Sequence, residues 1–215
     1  MSNCQLQPHY PLIIIGAGPA GLSAAAVAAE HGIDVALLDE QASPGGQIYR
    51  ATESIPTERA RLLGTEYQRG ANLVADFRNS GVSYFPDTQV WSLDKKGRAG
   101  IMVGLTLDKT AAMITADLVL LATGAMERPL PFPGWTLPGV MNAGAGQILF
   151  KSHGIVPKDG VVLAGSGPLM LLLAWQYMHA GVSIRAMLDL TPMRNHLRAI
   201  PFLPRALLAR HYLLK

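Results

Sequence analysis

Gly16-Ala17-Gly18-Pro19-Ala20-Gly21 is the stretch that most narrows what this chain can fold into. Before it stands Leu12-Ile13-Ile14-Ile15, an apolar β-branched run too short for a helix and suited to a buried strand. After it comes Leu22-Ser23-Ala24-Ala25-Ala26-Val27-Ala28-Ala29-Glu30, rich in helix formers whose small side chains pack closely on a sheet. Gly32 stops that helix, and Asp34-Val35-Ala36-Leu37-Leu38 forms a second strand delivering Asp39 and Glu40. The result is a βαβ unit whose first turn is a G-x-G-x-x-G loop. In such a loop Gly16 permits the tight turn, Gly18 lets the backbone approach a pyrophosphate, and Gly21 lets helix and strand lie close. The helix N-terminus offers free N–H groups and a partial positive charge to phosphates. Asp39, 18 residues beyond Gly21, is placed to accept hydrogen bonds from a ribose. Its charge would repel a ribose 2′-phosphate, which disfavours NADP.

The rest of the chain repeats and elaborates this theme. Ser43-Pro44-Gly45-Gly46-Gln47-Ile48-Tyr49-Arg50 is a turn-forming stretch where the second strand reaches the ligand edge. Its glycines allow close backbone approach to a flat cofactor, and the Gln47 amide can both donate and accept. Residues 57–80 read as one helix ended by Gly81, and Val82-Ser83-Tyr84-Phe85 as a strand closed by Pro86. Strands at 89–93, 101–107 and 111–115, with turns at 94–98 and 108–110, form an antiparallel meander inserted into an α/β chain. Lys95, Lys96 and Arg98 at its tip read as exposed loop charges. Asp117-Leu118-Val119-Leu120-Leu121 is again a buried strand, ending in Ala122-Thr123-Gly124, small residues at the carboxyl edge where open α/β sheets bind ligands.

Pro129, Pro131, Pro133 and Pro138 make residues 125–140 a stiff connector and a candidate domain boundary. Gly144-Ala145-Gly146-Gln147 has no strand before it and reads as helix packing. Gly160-Val161-Val162-Leu163-Ala164 is followed by Gly165-Ser166-Gly167-Pro168-Leu169-Met170, an apolar helix to about His179, and a strand ending at Asp189. This second βαβ unit has Met170 in place of the third glycine, so nucleotide binding and a retained, poorly binding fold both stay open.

The pI of about 9.1 invites a nucleic-acid reading that the charge distribution argues against. Five of the positive charges (Arg194, Arg198, Arg205, Arg210, Lys215) lie in residues 191–215 without an acid. Against a net charge of +3, the other 190 residues therefore carry −2, with no basic stripe interleaved with aromatics. The apolar residues of that tail, Leu197, Ile200, Phe202, Leu203, Leu207 and Leu208, suit packing on further chain or a partner. Cys4 is the only cysteine, so there is no disulfide framework, no cysteine metal site and no redox pair, which fits a cytoplasmic protein. Residues 160–182 are apolar enough to suggest a membrane span, but the glycines and Pro168 break them into strand, turn and helix. No Ser/His/Asp set, paired carboxylates or H-E-x-x-H is present. Catalytic residues and metal ligands are therefore not assigned, and the chemistry points to a bound cofactor.

Five runs occur together in this order: 16–21, Leu38-Asp39-Glu40-Gln41, Pro44-Gly45-Gly46-Gln47-Ile48-Tyr49-Arg50, Ala122-Thr123-Gly124-Ala125-Met126-Glu127-Arg128-Pro129, and Ala164-Gly165-Ser166-Gly167-Pro168-Leu169. The set resembles the two-dinucleotide-binding-domain flavoproteins. More narrowly, it is similar to the FAD-binding subunit of opine oxidases, the matching subunit of cyanide synthases and the α subunit of heteromeric sarcosine oxidase. The resemblance implies an α/β fold. A Rossmann-like FAD-binding domain in three layers, with the meander inserted, would occupy 1–135, and an incomplete NAD(P)-type domain 136–215. It implies that Gly16, Gly18, Pro19, Ala20 and Gly21 hold the FAD pyrophosphate and that Asp39 or Glu40 holds the adenosine ribose. Gly46 and Gln47 would border the flavin, Ala122, Thr123 and Gly124 pass the pyrophosphate, and Val90 touch the adenine through its backbone. Gly165, Gly167, Pro168 and Asp189 map onto a second site for NAD or another adenine nucleotide.

The implied function is that of an FAD-dependent oxidoreductase of amine or imino-acid donors, working with a second flavoprotein subunit. Two other readings stay open: an NAD(P)H-dependent flavin reductase, and a non-catalytic nucleotide-binding fragment. Family members continue past the second βαβ unit and return to the flavin domain, so a longer chain is expected to complete both domains.

Overall fold

The computed structural model describes residues 5–95, 97 and 100–204. The chain divides into two compact units, Met1–Ile155 and Val156–Lys215.

In the first unit β1 (His9–Ile15) leads through α1 (Pro19–Glu30) to β2 (Val35–Leu38). Two helices, α2 (Thr57–Leu63) and α3 (Thr65–Asn79), then lead to β3 (Ser83–Phe85). The strands β4 (Gln89–Lys95), β5 (Ile101–Leu107) and β6 (Thr110–Leu121) follow, and α4 (Ala143–His153) closes the unit. Among the described residues the sheet has six strands in the order β3-β2-β1-β6-β5-β4. β3, β2, β1 and β6 run parallel, while β4-β5-β6 is an antiparallel meander.

Period-two alternation along β1 and β2 sorts side chains between two cores. Ile14, Val35 and Leu37 pack with Leu22, Ala25 and Ala28 of α1 and with Val74 and Phe77 of α3. Ile13, Ala36 and Leu38 face the opposite way, onto Val103, Leu105, Ile114 and Ala116 of the meander. Helices, parallel sheet and curled meander are thus three layers, as the sequence predicts. Each fully buried Leu or Ile contributes roughly 1.5–3 kcal/mol to holding them together.

Two local features differ from the sequence reading. The helix expected over 57–80 is broken at Gly64, whose φ of 91° no helix accommodates. The last meander strand and the buried strand after it are one element: β6 pairs with β5 through its first half and with β1 through its second. No turn residue separates Thr115 from Asp117, so the ladder continues as the partners change. Lys95 is exposed, while Lys96 and Arg98 lie outside the described residues.

The proline-rich stretch suggests a division after residue 135, yet α4 packs into the first unit. Arg59 Nη1 donates to the Lys151 and Ser152 carbonyls at 3.4 Å, and Lys151 Nζ donates to the carbonyls of Gln47 and Ile48.

The second unit contains β7 (Val161–Gly165), α5 (Pro168–His179) and β8 (Ile184–Asp189), with β7 and β8 parallel. Leu163, Met170, Leu173, Ala174, Tyr177 and Val182 are its buried apolar residues. The short helix α6 (Met193–Ala199) and a 3₁₀ turn at Ile200–Phe202 follow, carrying Arg194 and Arg198. Leu197, Ile200, Phe202 and Leu203 are exposed. Cys4, Arg205, Leu207, Leu208, Arg210 and Lys215 lie outside the described residues. Among those described, no helix is long and apolar enough to cross a membrane.

Candidate functional site

The glycine loop is held from below by three backbone bonds. Gly16 N–H donates to Leu38 O at 2.8 Å, Ala122 N–H to Ile15 O at 2.8 Å, and Gly45 N–H to Ala17 O at 2.8 Å. Loop, β6 terminus and the 43–50 turn therefore meet at the carboxyl edge of the parallel strands. The packing leaves no room for side chains at two loop positions. A Cβ on Gly16 would stand 2.4 Å from Ala122 O, and one on Gly21 would stand 1.9 Å from Gly16 O. Both glycines are demanded by contact between helix, loop and β6.

Gly18 is different. Its φ of −75° and ψ of 179° suit any residue, and a Cβ there would meet no protein atom within 4 Å. Neither conformation nor packing within the chain requires glycine at this position. What a side chain would obstruct is space outside the chain, at the start of α1. That helix opens with Gly18 as N-cap and Pro19 in its first turn, without a side chain capping its N–H groups. Uncapped donors at the positive end of a helix, beside a bare Cα, fit the pyrophosphate of a dinucleotide. Gly46 completes the cradle: a Cβ on it would lie 2.8 Å from Gly18 Cα.

The two acids after β2 are used differently. Asp39 is only 7% exposed, and its carboxylate accepts hydrogen bonds from the N–H of Ala17 and, at 2.7 Å, from that of Gln41. Its carbonyl accepts from Thr88 N–H at 2.8 Å. Asp39 thus ties the glycine loop to the strand end. Glu40 is exposed, and its Oε1 accepts from Gln41 Nε2 at 3.3 Å. Val90 lies half-buried on β4 against the Tyr10–Ile13 cluster, two residues beyond Thr88, with no contact to the loop described.

The 43–50 turn is pinned at both ends. Gln47 Nε2 donates to Ala125 O at 3.3 Å, joining it to the chain after Thr123 and Gly124. Tyr49 lies so close to α3 that a Cβ on Gly70 would sit 2.3 Å from its ring, and the Tyr67 hydroxyl donates to Arg50 O at 2.5 Å. Arg50 Nη1 reaches Gln41 Oε1 at 2.6 Å. Farther along, Glu127 Oε2 accepts from Gly144 N–H at 2.6 Å, capping α4 from the connector. A Cβ on Gly144 would push that carboxylate aside.

Titration of two buried groups reflects this crowding. Burial, reinforced by the Asp39 carboxylate, raises the Tyr84 hydroxyl above its ordinary value. Burial, with the Arg50 charge, lowers Lys151 to about 8. Lys151 is not legible as a site residue from the sequence, and the one available signal is Gln147 four residues earlier on the same helical face.

In the second unit Gly165 is the register partner of Asp189, and Leu190 N–H donates to Gly165 O at 2.9 Å. A Cβ at Gly165 or Gly167 would meet no protein atom within 4 Å, and Pro168 opens α5. Asp189 is exposed and accepts from Thr191 N–H at 2.8 Å; hydrogen bonds from Thr191 hold its carboxyl below the usual range. Among the described residues no group of His, Cys, Asp or Glu could hold a metal ion.

The pyridine nucleotide-disulphide oxidoreductase family matches residues 10–197. An opine oxidase subunit of Agrobacterium tumefaciens is 48% identical over 188 residues, covering 86% of this chain and 37% of that protein. Hydrogen cyanide synthase subunit HcnB of Pseudomonas aeruginosa is 38% identical over 173 residues, covering 80% and 37%. The solved structure of L-proline dehydrogenase from P. horikoshii superposes with a TM-score of 0.67 at 21% identity, covering 84% of this chain and 35% of that one. The chain spans a little over a third of the length of these relatives.

Proposed function

The chain belongs to the pyridine nucleotide-disulphide oxidoreductase family, and from that premise we propose that it is the FAD-carrying part of an oxidoreductase for amine or imino-acid donors. The observation that carries the reading is Gly18, a glycine that the chain's own conformation and packing do not need. The identity to a protein named as part of an opine oxidase supports the substrate class.

In this reading the first part of the FAD-binding domain is the unit Met1–Ile155, α4 included, and the NAD(P)-type domain is the unit Val156–Lys215. Gly16, Gly21 and Ala122 build the floor beneath the pyrophosphate, while Gly18, Pro19 and Ala20 present the α1 N-terminus to it. Gly46 and Gln47 form a wall, Thr123 and Gly124 pass alongside, and Val90 faces the adenine through its backbone. Glu40 takes the ribose hydroxyls, and Asp39 holds the loop that binds the phosphates. Bound FAD supplies two-electron redox chemistry, and the chain supplies binding and orientation. Gly165, Gly167, Pro168 and Asp189 hold NAD or another adenine nucleotide, and a second flavoprotein subunit completes the enzyme.

Gly18→Val tests the cofactor assignment cleanly. A Cβ there meets no protein atom within 4 Å, so the ligand-free chain stays folded and loses only about 1 kcal/mol, the scale of an N-cap substitution. FAD binding, followed by isothermal titration, is lost because the side chain occupies pyrophosphate space. A Gly18→Val chain with unchanged FAD affinity would overturn the assignment. Substrate-dependent bleaching of the flavin, seen only with the partner subunit, tests the donor class.

A further inference from the structure

Lys151 is 4% exposed, in the last turn of α4. Its ammonium donates to Gln47 O at 3.0 Å, Ile48 O at 2.8 Å and Gln147 Oε1 at 3.0 Å. An ammonium has three N–H donors and no acceptor, so these oxygens use all of them. All three are neutral, and no carboxylate among the described residues pairs with the charge. Of the other groups facing it, only an aromatic ring attracts the charge, by a cation–π contact. Arg50 adds a second positive charge, and Arg59 donates to the Lys151 carbonyl at 3.4 Å. The Tyr67 ring lies 5.7 Å from Nζ.

A cation buried without a counter-ion is a poor way to fasten a helix to a loop, since desolvation opposes it. Its low pKa records that opposition. A methionine would fill the same volume without it. The destination of the donors gives a better account of the lysine. Two acceptors belong to the turn whose Gly46 abuts Gly18 and whose Gln47 side chain reaches Ala125.

We propose that Lys151 is a positioning residue for the dinucleotide cofactor, locking from inside the 46–48 turn that walls the glycine loop, and that it does so only as an ammonium. A neutral amine has two N–H groups and a lone pair. One of the three oxygens then loses its donor and faces the lone pair, and the turn loosens. The inference rests on the reading that FAD lies against Gly18 and Gly46.

The experiment measures FAD affinity of the 215-residue chain and of Lys151→Met by titration between pH 6.5 and 9.5. It is paired with amide hydrogen exchange of residues 46–50 in both ligand-free chains at pH 7. The wild-type dissociation constant should stay level below pH 7.5 and rise about tenfold by pH 9.5, the scale of one charge-assisted hydrogen bond. Lys151→Met should bind about tenfold more weakly at pH 7, show no such pH dependence, and exchange several-fold faster over 46–50. Equal affinity in both chains at every pH, or equal exchange at 46–50, overturns the inference and leaves the cofactor assignment standing. A wild-type chain that binds no FAD at any pH overturns the assignment and the inference together.

Discussion

The buried charge of Lys151 has a second measurable effect, on folding, with the opposite sign to its effect on the cofactor. Lowering a lysine from 10.5 to about 8 means that the folded chain binds fewer protons than the unfolded chain between those values. Stability then rises with pH across that window. The charged side chain weakens the fold by about 3 kcal/mol below pH 8, and the penalty is relieved as pH climbs toward 10.5. Between pH 7 and pH 10 the gain should be about 2–3 kcal/mol. Urea denaturation of the ligand-free chain, wild type and Lys151→Met, at both pH values isolates the contribution, because other titrating groups cancel in the difference. The wild type should gain about 2–3 kcal/mol relative to the variant, equivalent to roughly 1 M in the urea midpoint. Stability curves that run parallel from pH 7 to 10 would refute the reasoning, since they would mean Lys151 titrates alike in both states.

Three further outcomes are expected. Asp39→Ala should weaken FAD binding by roughly 10- to 100-fold in calorimetric titration and also destabilise the ligand-free chain, because its carboxylate secures Ala17 and Gln41 at about 1.5–3 kcal/mol. Glu40→Ala, at an exposed position, should weaken FAD without changing the ligand-free urea midpoint. Glu127→Ala should free the N–H of Gly144, costing about 0.5–1 kcal/mol in the first turn of α4, visible as faster amide exchange over 143–146.

Both βαβ units are legible because local spacing dictates them: apolar runs of four to six residues, glycines at fixed offsets, and an acid at each strand end. What spacing does not record is what lies across the chain. The apolar face over 57–80 is broken between Leu63 and Leu73, and the positive φ of Gly64 shows that the helix ends and restarts there. The unity of β6 escapes because a change of partner from β5 to β1 leaves no mark where no turn residue intervenes. Asp39 and Glu40 read as alternatives for one ribose, yet one faces the loop and the other solvent, a difference set by the parity of β2. The burial of Lys151 depends on a turn 104 residues earlier, which no local spacing records.

The double membership of β6 also bears on the order in which the chain assembles. β4, β5 and β6 are joined by short connections, so their pairing closes only small loops and can form within microseconds. Pairing β1 with β6 must bring together residues such as His9 and Thr115, 106 positions apart, at about 2–3 kcal/mol more loop-closure entropy. A preformed meander carries the second half of β6 out of its paired first half, and β1 has to dock along that extension. The hairpins thereby act as the ruler that fixes where Ala122 ends up beneath Gly16. A slip of one residue between β5 and β6 would turn the side chains of β6 to the opposite face, and the strand that carries Ala122 would offer β1 the wrong one.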